Sequence, residues 1–220
     1  MDTKYVGGCE KMKKMLKKIS LNIARTILNL NRERSAWFLK KLLDITLGVN
    51  NDDMKSNGEL FLLQRILKQL NNGQQFIAFD IGANVGLWTI SLLDIASELG
   101  IMERVKIHCF EPSQFTFSKL QHNISQNKWG NRVTLINAGM GSKKGNKELY
   151  LIEEGAGTNS LYKRRLENLG ISFNRTEIVK ITIIDDYCIK NNITHVNFVK
   201  IDVEGHELEV MKGAMMMIAK

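Results

Sequence analysis

The chain has 220 residues, of which 44% are hydrophobic and 25% are charged, a composition typical of folded globular proteins and unlike that of disordered or collagen-like chains. Its three cysteines form no C-x-x-C pair, which argues against a disulfide-stapled secreted domain and against a thiolate zinc site. No apolar run approaches the roughly 20 residues that a membrane-spanning helix needs, and the N-terminus lacks the pattern of a signal peptide. We therefore expect a cytoplasmic protein.

The net charge of +8 is concentrated near the N-terminus. Residues 1–48 contain eleven lysines and arginines but four acidic residues, whereas the rest of the chain contains 20 basic and 19 acidic side chains. A nucleic-acid channel needs a basic surface across the fold, so this distribution argues against a nucleic-acid partner.

The basic N-terminal region is predicted to be helical, because apolar residues recur every three or four positions among lysines and asparagines. The pattern predicts helices over about 12–30, 36–47 and 60–70, the last one ended by Asn71-Asn72-Gly73. Two interpretations of the first helix stay open: its apolar stripe packs on the core or on another subunit, or it attaches the protein to an anionic membrane surface. A change of composition divides the chain into a helical region (1–72) and a second domain (73–220).

From Gln74 onward, short apolar strands alternate with helical patterns, which predicts an α/β domain with a parallel sheet and crossover helices. The predicted elements, in chain order, are Phe76–Ile81 (strand), Leu87–Leu99 (helix), Val105–Phe110 (strand), Gln114–Asn127 (helix), Val133–Asn137 (strand), Glu148–Ile152 (strand), Glu177–Ile183 (strand), Asn197–Ile201 (strand) and Glu207–Ile218 (helix). In the last helix, one apolar stripe is formed by Leu208, Met211, Met215 and Ile218. A right-handed crossover through this helix should deliver another parallel strand, and none follows.

The strongest local signal is Phe79-Asp80-Ile81-Gly82-Ala83-Asn84-Val85-Gly86, between a predicted strand and a predicted helix. Gly82 and Gly86 suit a sharp turn where a ligand approaches a helix N-terminus, although they could equally serve a dinucleotide or a tight turn alone. Three details favour S-adenosylmethionine over a nicotinamide or flavin dinucleotide: the G-x-x-x-G spacing, the carboxylate of Asp80, and Asn84 where a pyrophosphate would need bare backbone. A carboxylate suits a ligand that carries a sulfonium and an ammonium group.

A second carboxylate, Glu111, follows the next predicted strand in Cys109-Phe110-Glu111-Pro112. At that edge of the sheet a carboxylate can accept hydrogen bonds from both hydroxyls of a ribose. The alternative is a carboxylate that only stabilises the N-terminus of the following helix.

The third group of polar residues lies in Phe198–Glu207, where an apolar strand delivers Asp202 to the same sheet edge and Glu204 and His206 follow. Methyl transfer to an aliphatic hydroxyl depends on positioning and needs a proton acceptor, for which His206 is the candidate. Asp202 and Glu204 would act as orienting carboxylates or as ligands of a hard divalent cation. The alternative for His206 is a surface residue in the first helical turn.

Together these segments resemble the FkbM family of S-adenosylmethionine-dependent methyltransferases over about Phe76 to Ala214, with further matches at Asp185-Asp186-Tyr187 and Gly213-Ala214. The resemblance implies a Rossmann-like class I methyltransferase sheet and methyl transfer to a hydroxyl, frequently on sugars, glycolipids or polyketide-like products. It also implies site roles: the methionine side of the cofactor is lined by Asp80, Gly82, Ala83, Asn84 and Gly86, the ribose by Glu111, the adenine side by Asn137 and Ala138, and the transferred methyl is faced by Asp202 and Glu204.

Members of this family continue past the Gly-Ala pair into another strand, so the resemblance implies that terminal strands of the fold are missing here and that Asn197–Ile201 is an unprotected edge. The expected function is O-methylation of a small-molecule or carbohydrate hydroxyl with S-adenosylmethionine. Two alternatives are a truncated, non-catalytic fragment that acts as an interaction module, and a nicotinamide-dependent enzyme. The acceptor and the oligomeric state are left open by the sequence.

Overall fold

The fold was analysed in a computed structural model, which describes residues 54, 57–71, 73–151, 161 and 175–219. The helices predicted over 12–30 and 36–47, and with them the predicted membrane contact, lie outside these residues. Residues Gly58–Lys220 form one compact unit, which contains the elements and the site described below. The domain boundary predicted after residue 72 stays a prediction. None of the helices in the described ranges is long and apolar enough to cross a membrane.

In chain order, the elements of this unit are α1 (Glu59–Lys68), β1 (Phe76–Ile81), α2 (Leu87–Glu98), β2 (Val105–Phe110), α3 (Gln114–Ser125), β3 (Val133–Ile136), β4 (Gly139–Met140), β5 (Gly145–Leu151), β6 (Arg175–Thr182), α4 (Ile184–Lys190), β7 (Phe198–Ile201), α5 (Glu207–Lys212) and α6 (Met215–Ile218). The strands β1 and β2 have the bounds that the sequence predicts. The strands β5 and β6 begin earlier than predicted, and the short elements β4 and α4 were not predicted.

The centre of the unit is a four-stranded parallel sheet in the order β3-β2-β1-β7, which confirms the predicted α/β architecture. The chain moves outward from β1 to β3 and then returns to the other side of β1 with β7. The strand order therefore reverses between β1 and β7. In open α/β sheets, ligands bind at such a reversal, beyond the carboxyl ends of the strands.

One face of this sheet carries a hydrophobic cluster. Phe79 and Phe110 are fully buried on it and pack with Ile184 and Cys188 of α4 and with Val210 of α5. Each such side chain contributes about 1.5–3 kcal/mol by leaving water. The cluster therefore fixes α4 and α5 against the sheet, and α5 in turn holds the segment that follows β7.

A second sheet of three strands has the order β4-β6-β5, with β6 parallel to β4 and antiparallel to β5. It is tied to the central unit where Glu177 of β6 accepts a hydrogen bond from the backbone N–H of Gln114, at 2.8 Å. This contact lies at the first residue of α3, so the second sheet stands beside the carboxyl edge of the first.

The helix predicted over Glu207–Ile218 is wrong as a single element, because it is interrupted between α5 and α6. Any side chain at Gly213 would overlap the backbone carbonyl of Gly141, and Asp185 accepts hydrogen bonds from the N–H groups of Met216 and Met217 at 2.9 and 3.1 Å. These contacts start a new helix at this point. The predicted apolar stripe is exposed, and Val210 and Ala214 are the side chains that are buried in the core.

Candidate functional site

A cavity of about 660 Å³, including its open mouth, lies at the carboxyl ends of β1, β2 and β7, where the strand order reverses. Its described lining includes six of the predicted site residues, namely Gly82, Asn84, Glu111, Asp202, Glu204 and His206. The second sheet supplies Met140 and Leu149 to the wall, and Leu161 completes it. The three separate sequence motifs therefore meet at one concave site.

The turn after β1 passes directly against the turn after β7. Gly82 has a φ of +79°, and a Cβ on it would overlap the backbone carbonyl of Asp202. The N–H of Gly82 donates to the carbonyl of Phe110 at 2.9 Å, and the N–H of Asp202 donates to the carbonyl of Ile81 at 2.9 Å. Only glycine satisfies both the positive φ and the close approach, so Gly82 brings the ends of three strands together.

Glu111 is held in the cavity wall by two backbone donors. The N–H of Asn84 donates to Oε2 and the N–H of Ser113 donates to Oε1, each at 3.0 Å. Burial raises the pKa of Glu111 to about 7, and these two hydrogen bonds oppose that rise. The carboxylate is therefore oriented by the main chain, and each oxygen keeps a further lone pair for a ligand.

Asp80 lies beneath the cavity and not in its described lining. Its side chain is fully buried, accepts a hydrogen bond from the hydroxyl of Thr89 at 2.8 Å, and lies 3.4 Å from Nζ of Lys200. Burial raises the pKa of Asp80, although Lys200 and Thr89 act in the opposite direction. The ammonium of Lys200 also lies 3.5 Å from Oδ2 of Asp202, which lines the cavity. Lys200 therefore connects the buried Asp80 with a residue of the cavity wall.

Lys200 is thus shared by two carboxylates. Its side chain is 21% exposed, that of Asp202 is 64% exposed and that of Asp80 is fully buried. Burial alone would lower the pKa of Lys200, but Asp80 and Asp202 raise it above its ordinary value. We therefore treat Lys200 as a charged group that neutralises the inner carboxylate and positions the outer one.

Four other predicted site residues do not appear in the described lining of the cavity: Ala83, Gly86, Asn137 and Ala138. Gly86 has a φ of +88°, and a Cβ on it would lie 2.6 Å from Cδ1 of Leu120, so it allows α2 to start close to α3. The amide of Asn137 donates to the carbonyls of Glu111 and Pro112 at 2.9 and 3.0 Å. Asn137 therefore holds the Glu111 turn, and Gly139 and Met140 line the cavity in its neighbourhood.

His206 is buried and is not a surface residue, since it is only 1% exposed. It precedes α5 after a tight turn in which Glu204 and Gly205 have φ values of +52° and +98°. A Cβ on Gly141 would lie 3.1 Å from its Nε2, so a glycine directly after β4 makes room for the ring. Burial, assisted by the charge of Lys147, lowers the pKa of His206 and favours the neutral imidazole.

The charge of the cavity wall is negative. Three carboxylates, those of Glu111, Asp202 and Glu204, contribute to it, and none of the described residues that line it is a lysine or an arginine. Within the described part of the chain, no group of three or more His, Cys, Asp or Glu side chains is placed to share a metal ion. The arrangement suits a ligand that is cationic or rich in hydroxyl groups.

Sequence reasoning missed three residues of this region: Thr89, Lys200 and Thr116. A signal for Lys200 was available, because it is a charged residue in a short apolar strand and is the register partner of Asp80 on β1. No pattern in the sequence distinguishes Thr89 or Thr116 from other polar helix residues. Thr116, in the first turn of α3, is 3% exposed and lines the cavity.

These features define an α/β protein with an acidic ligand cavity at the reversal point of a parallel sheet. The model of the methyltransferase FkbM domain matches residues 80–220 of the sequence, which is well over half of the chain. The protein belongs to the FkbM methyltransferase family, as the motifs of the sequence predict.

Two relatives illustrate the range of similarity. The hexuronic acid methyltransferase AglP of Haloferax volcanii is 25% identical over 156 residues, which cover 71% of this chain and 56% of that protein. The crystal structure of methyltransferase FkbM from Methylobacillus flagellatus KT aligns with 18% identity and a TM-score of 0.43, over 69% of this chain and 32% of that one. This chain therefore spans a little over half of the curated relative and a third of the crystallised one.

Proposed function

We propose that the protein binds S-adenosylmethionine in this cavity and transfers its methyl group to a hydroxyl of a sugar or glycoconjugate. The observation that carries the proposal is the set of three carboxylates, without a basic side chain among the described lining residues, at the reversal point of the sheet. Such a wall attracts a ligand with a sulfonium and an ammonium group and repels the pyrophosphate of a nicotinamide cofactor.

The residues present suit this cofactor. Oδ1 of Asn84 and Oγ1 of Thr116 are buried in the cavity wall without a hydrogen-bond partner among the described residues. Glu111, oriented by two backbone N–H groups, would hold the ribose hydroxyls, and Asp202 would face the positively charged end. When bound, the cofactor supplies a methyl group on a cationic sulfur.

In this proposal His206 takes the proton of the acceptor hydroxyl as that oxygen is methylated. Its imidazole is buried beside the cavity, and burial keeps its pKa below the ordinary value, so the ring is available as a base near neutral pH. Asp202 and Glu204 would orient the acceptor. The turn that carries Glu204 and Gly205 places these groups within five residues of one another.

A sugar acceptor is supported by membership of the FkbM family and by the relative that is named for a hexuronic acid. The second sheet supplies Met140 and Leu149 to the cavity wall, and together with Leu161 these residues would contact the acceptor. The cytoplasmic location expected from the cysteines stays a prediction.

The test combines calorimetry with a transfer assay. Wild-type protein should bind S-adenosylhomocysteine and methylate hexuronic acids or related sugars from radiolabelled cofactor. His206→Gln should keep the binding heat and lose about 10²–10⁴-fold in turnover, while His195→Gln, an exposed histidine outside the cavity, should behave as wild type. Turnover unchanged in His206→Gln would remove the proposed base.

These measurements, together with nicotinamide fluorescence, separate the alternatives. Binding of S-adenosylhomocysteine without turnover on any hydroxyl acceptor would favour a non-catalytic interaction module. Quenching of reduced nicotinamide fluorescence on addition of the protein would favour the dinucleotide enzyme. Absence of binding to S-adenosylhomocysteine would overturn the proposed function itself.

A further inference from the structure

The wall of the cavity contains a buried hydroxyl that the fold itself does not use. Oγ1 of Thr116 has no hydrogen-bond partner among the described residues, although the residue is 3% exposed. Leaving a buried polar group unpaired is unfavourable, and most such groups in folded proteins are paired with protein, water or ligand. An unpaired hydroxyl in a cavity wall is therefore a candidate ligand contact.

The hydroxyl of Thr116 makes no hydrogen bond to the backbone of its own helix. A threonine in a helix often donates to the carbonyl four residues earlier, which here belongs to Pro112. That carbonyl accepts from the side-chain amide of Asn137 at 3.0 Å, and Oγ1 of Thr116 makes no hydrogen bond to it. The backbone N–H of Thr116 makes only a long contact of 3.5 Å with Oγ of Ser113. The hydroxyl of Thr116 therefore takes no part in capping the first turn of α3.

The position of Thr116 indicates which part of a ligand it would meet. It lies five residues after Glu111 and lines the same cavity together with Glu111 and Pro112. Glu111 offers only acceptor atoms when it is ionised, and both its oxygens already accept one backbone hydrogen bond. A hydroxyl both donates and accepts, so it adds a side-chain donor near Glu111, besides the amide of Asn84.

We propose that Oγ1 of Thr116 hydrogen-bonds the adenosine portion of S-adenosylmethionine, at the end of the cavity marked by Glu111. This assignment rests on the proposed function and adds a binding residue to it. It also accounts for a polar β-branched residue at a buried position where valine would fill the same space.

The test uses Thr116→Val, which keeps the shape and removes the hydroxyl, and Thr116→Ser, which keeps the hydroxyl. Calorimetry is performed with S-adenosylhomocysteine and with methylthioadenosine, which has the adenosine but lacks the amino-acid end. Thr116→Val should weaken both ligands by roughly tenfold, and Thr116→Ser should stay within about threefold of wild type. Thr134→Val, at the exposed position of β3, should change neither affinity.

A second readout concerns the protein without ligand. Because the hydroxyl has no partner in the described part of the fold, Thr116→Val should leave the thermal midpoint unchanged or raise it. Wild-type affinity of Thr116→Val for both ligands would overturn the inference and leave the proposed function intact. So would weaker binding of S-adenosylhomocysteine alone, or a lower midpoint of the unliganded variant. Failure of the wild-type protein to bind either ligand would overturn the proposed function, and the inference with it.

Discussion

Asp80 on β1 and Lys200 on β7 are direct register partners, and Nζ of Lys200 lies 3.4 Å from Oδ1 of Asp80. The pair spans the point where the strand order of the sheet reverses. Since Lys200 also lies 3.5 Å from Asp202, one ammonium connects the buried carboxylate of the first motif with the exposed carboxylate of the third. The stability of the sheet and the geometry of the site therefore depend on the same side chain.

Lys200→Met should lower the free energy of unfolding by about 3–5 kcal/mol, because it leaves the fully buried Asp80 without its countercharge. Asp80→Asn combined with Lys200→Met should recover most of this loss, since the charge is removed together with its partner. Urea unfolding of the single and double variants measures both effects. Lys212→Met is the control: it breaks a surface pair with Glu209 and should cost much less than Lys200→Met. Equal losses in the two lysine variants would contradict the prediction.

Gly82→Ala and Gly73→Ala form a matched pair of variants. Both glycines have nearly the same φ, +79° and +80°, but Gly82 faces the backbone of Asp202 whereas Gly73 has no atom within 4 Å of its Cβ position. Gly73→Ala should therefore cost only the conformational strain, about 1–2 kcal/mol. Gly82→Ala should cost clearly more, because the turns after β1 and β7 must separate, and should abolish binding of S-adenosylhomocysteine.

Thermal unfolding and calorimetry on the two glycine variants are sufficient for this comparison. If Gly82→Ala were no less stable than Gly73→Ala and still bound the ligand, the two turns would not need their close approach.

Where a physical rule acts locally, the sequence predicted the structure well. The strands β1 and β2 have their predicted bounds because an apolar run ends at a turn residue, and parallel strands bring their carboxyl ends to one edge. For the same reason Gly82, Glu111 and His206, which follow three different strands, line one cavity.

The sequence gives less information where contacts between residues far apart in the chain determine the structure. Periodicity continued one helix through Gly213, whose close approach to Gly141 is invisible in the local sequence. The sequence also gives no indication that Asp80 is fully buried, with the register partner Lys200 and the hydroxyl of Thr89 beside its carboxylate. Its predicted place on the methionine side of the cofactor stays a prediction. A motif thus identifies which residues come together, but not which of them the tertiary structure buries.

Asp185 and Asp186 are adjacent residues with different expected effects. Asp185 is 9% exposed and accepts hydrogen bonds from the N–H groups of Met216 and Met217, which belong to the first turn of α6. Asp185→Ala should therefore lower the free energy of unfolding by about 0.5–2 kcal/mol, as expected for loss of a helix cap. Asp186 pairs with Lys144 at the surface, and Asp186→Ala should change stability by less than about 0.5 kcal/mol. Urea unfolding of both variants measures the two effects. Equal effects would show that the cap does not stabilise α6.

The last prediction concerns pH. Burial raises the pKa of Glu111 from the ordinary 4.5 to about 7, so between these values the folded protein keeps a proton that the unfolded chain has released. The contribution of Glu111 to stability is therefore fully present below pH 4.5 and is lost as the pH rises towards 7, a change of roughly 3 kcal/mol. A ribose diol needs the ionised carboxylate, so the affinity for S-adenosylhomocysteine should change in the opposite sense and rise by up to tenfold per pH unit below 7.

Glu111→Gln isolates this group from the other titrating side chains. His108 and His206 both have pKa values lowered by burial, and they make stability increase with pH in wild type and variant alike. The difference in unfolding free energy between wild type and Glu111→Gln, measured by urea at pH 5, 6, 7 and 8, should therefore shift against the wild type as the pH rises. Calorimetry at the same pH values should show weak and nearly pH-independent binding in the variant. A wild-type affinity that is flat from pH 5 to 8 would mean that the ligand does not use the carboxylate of Glu111.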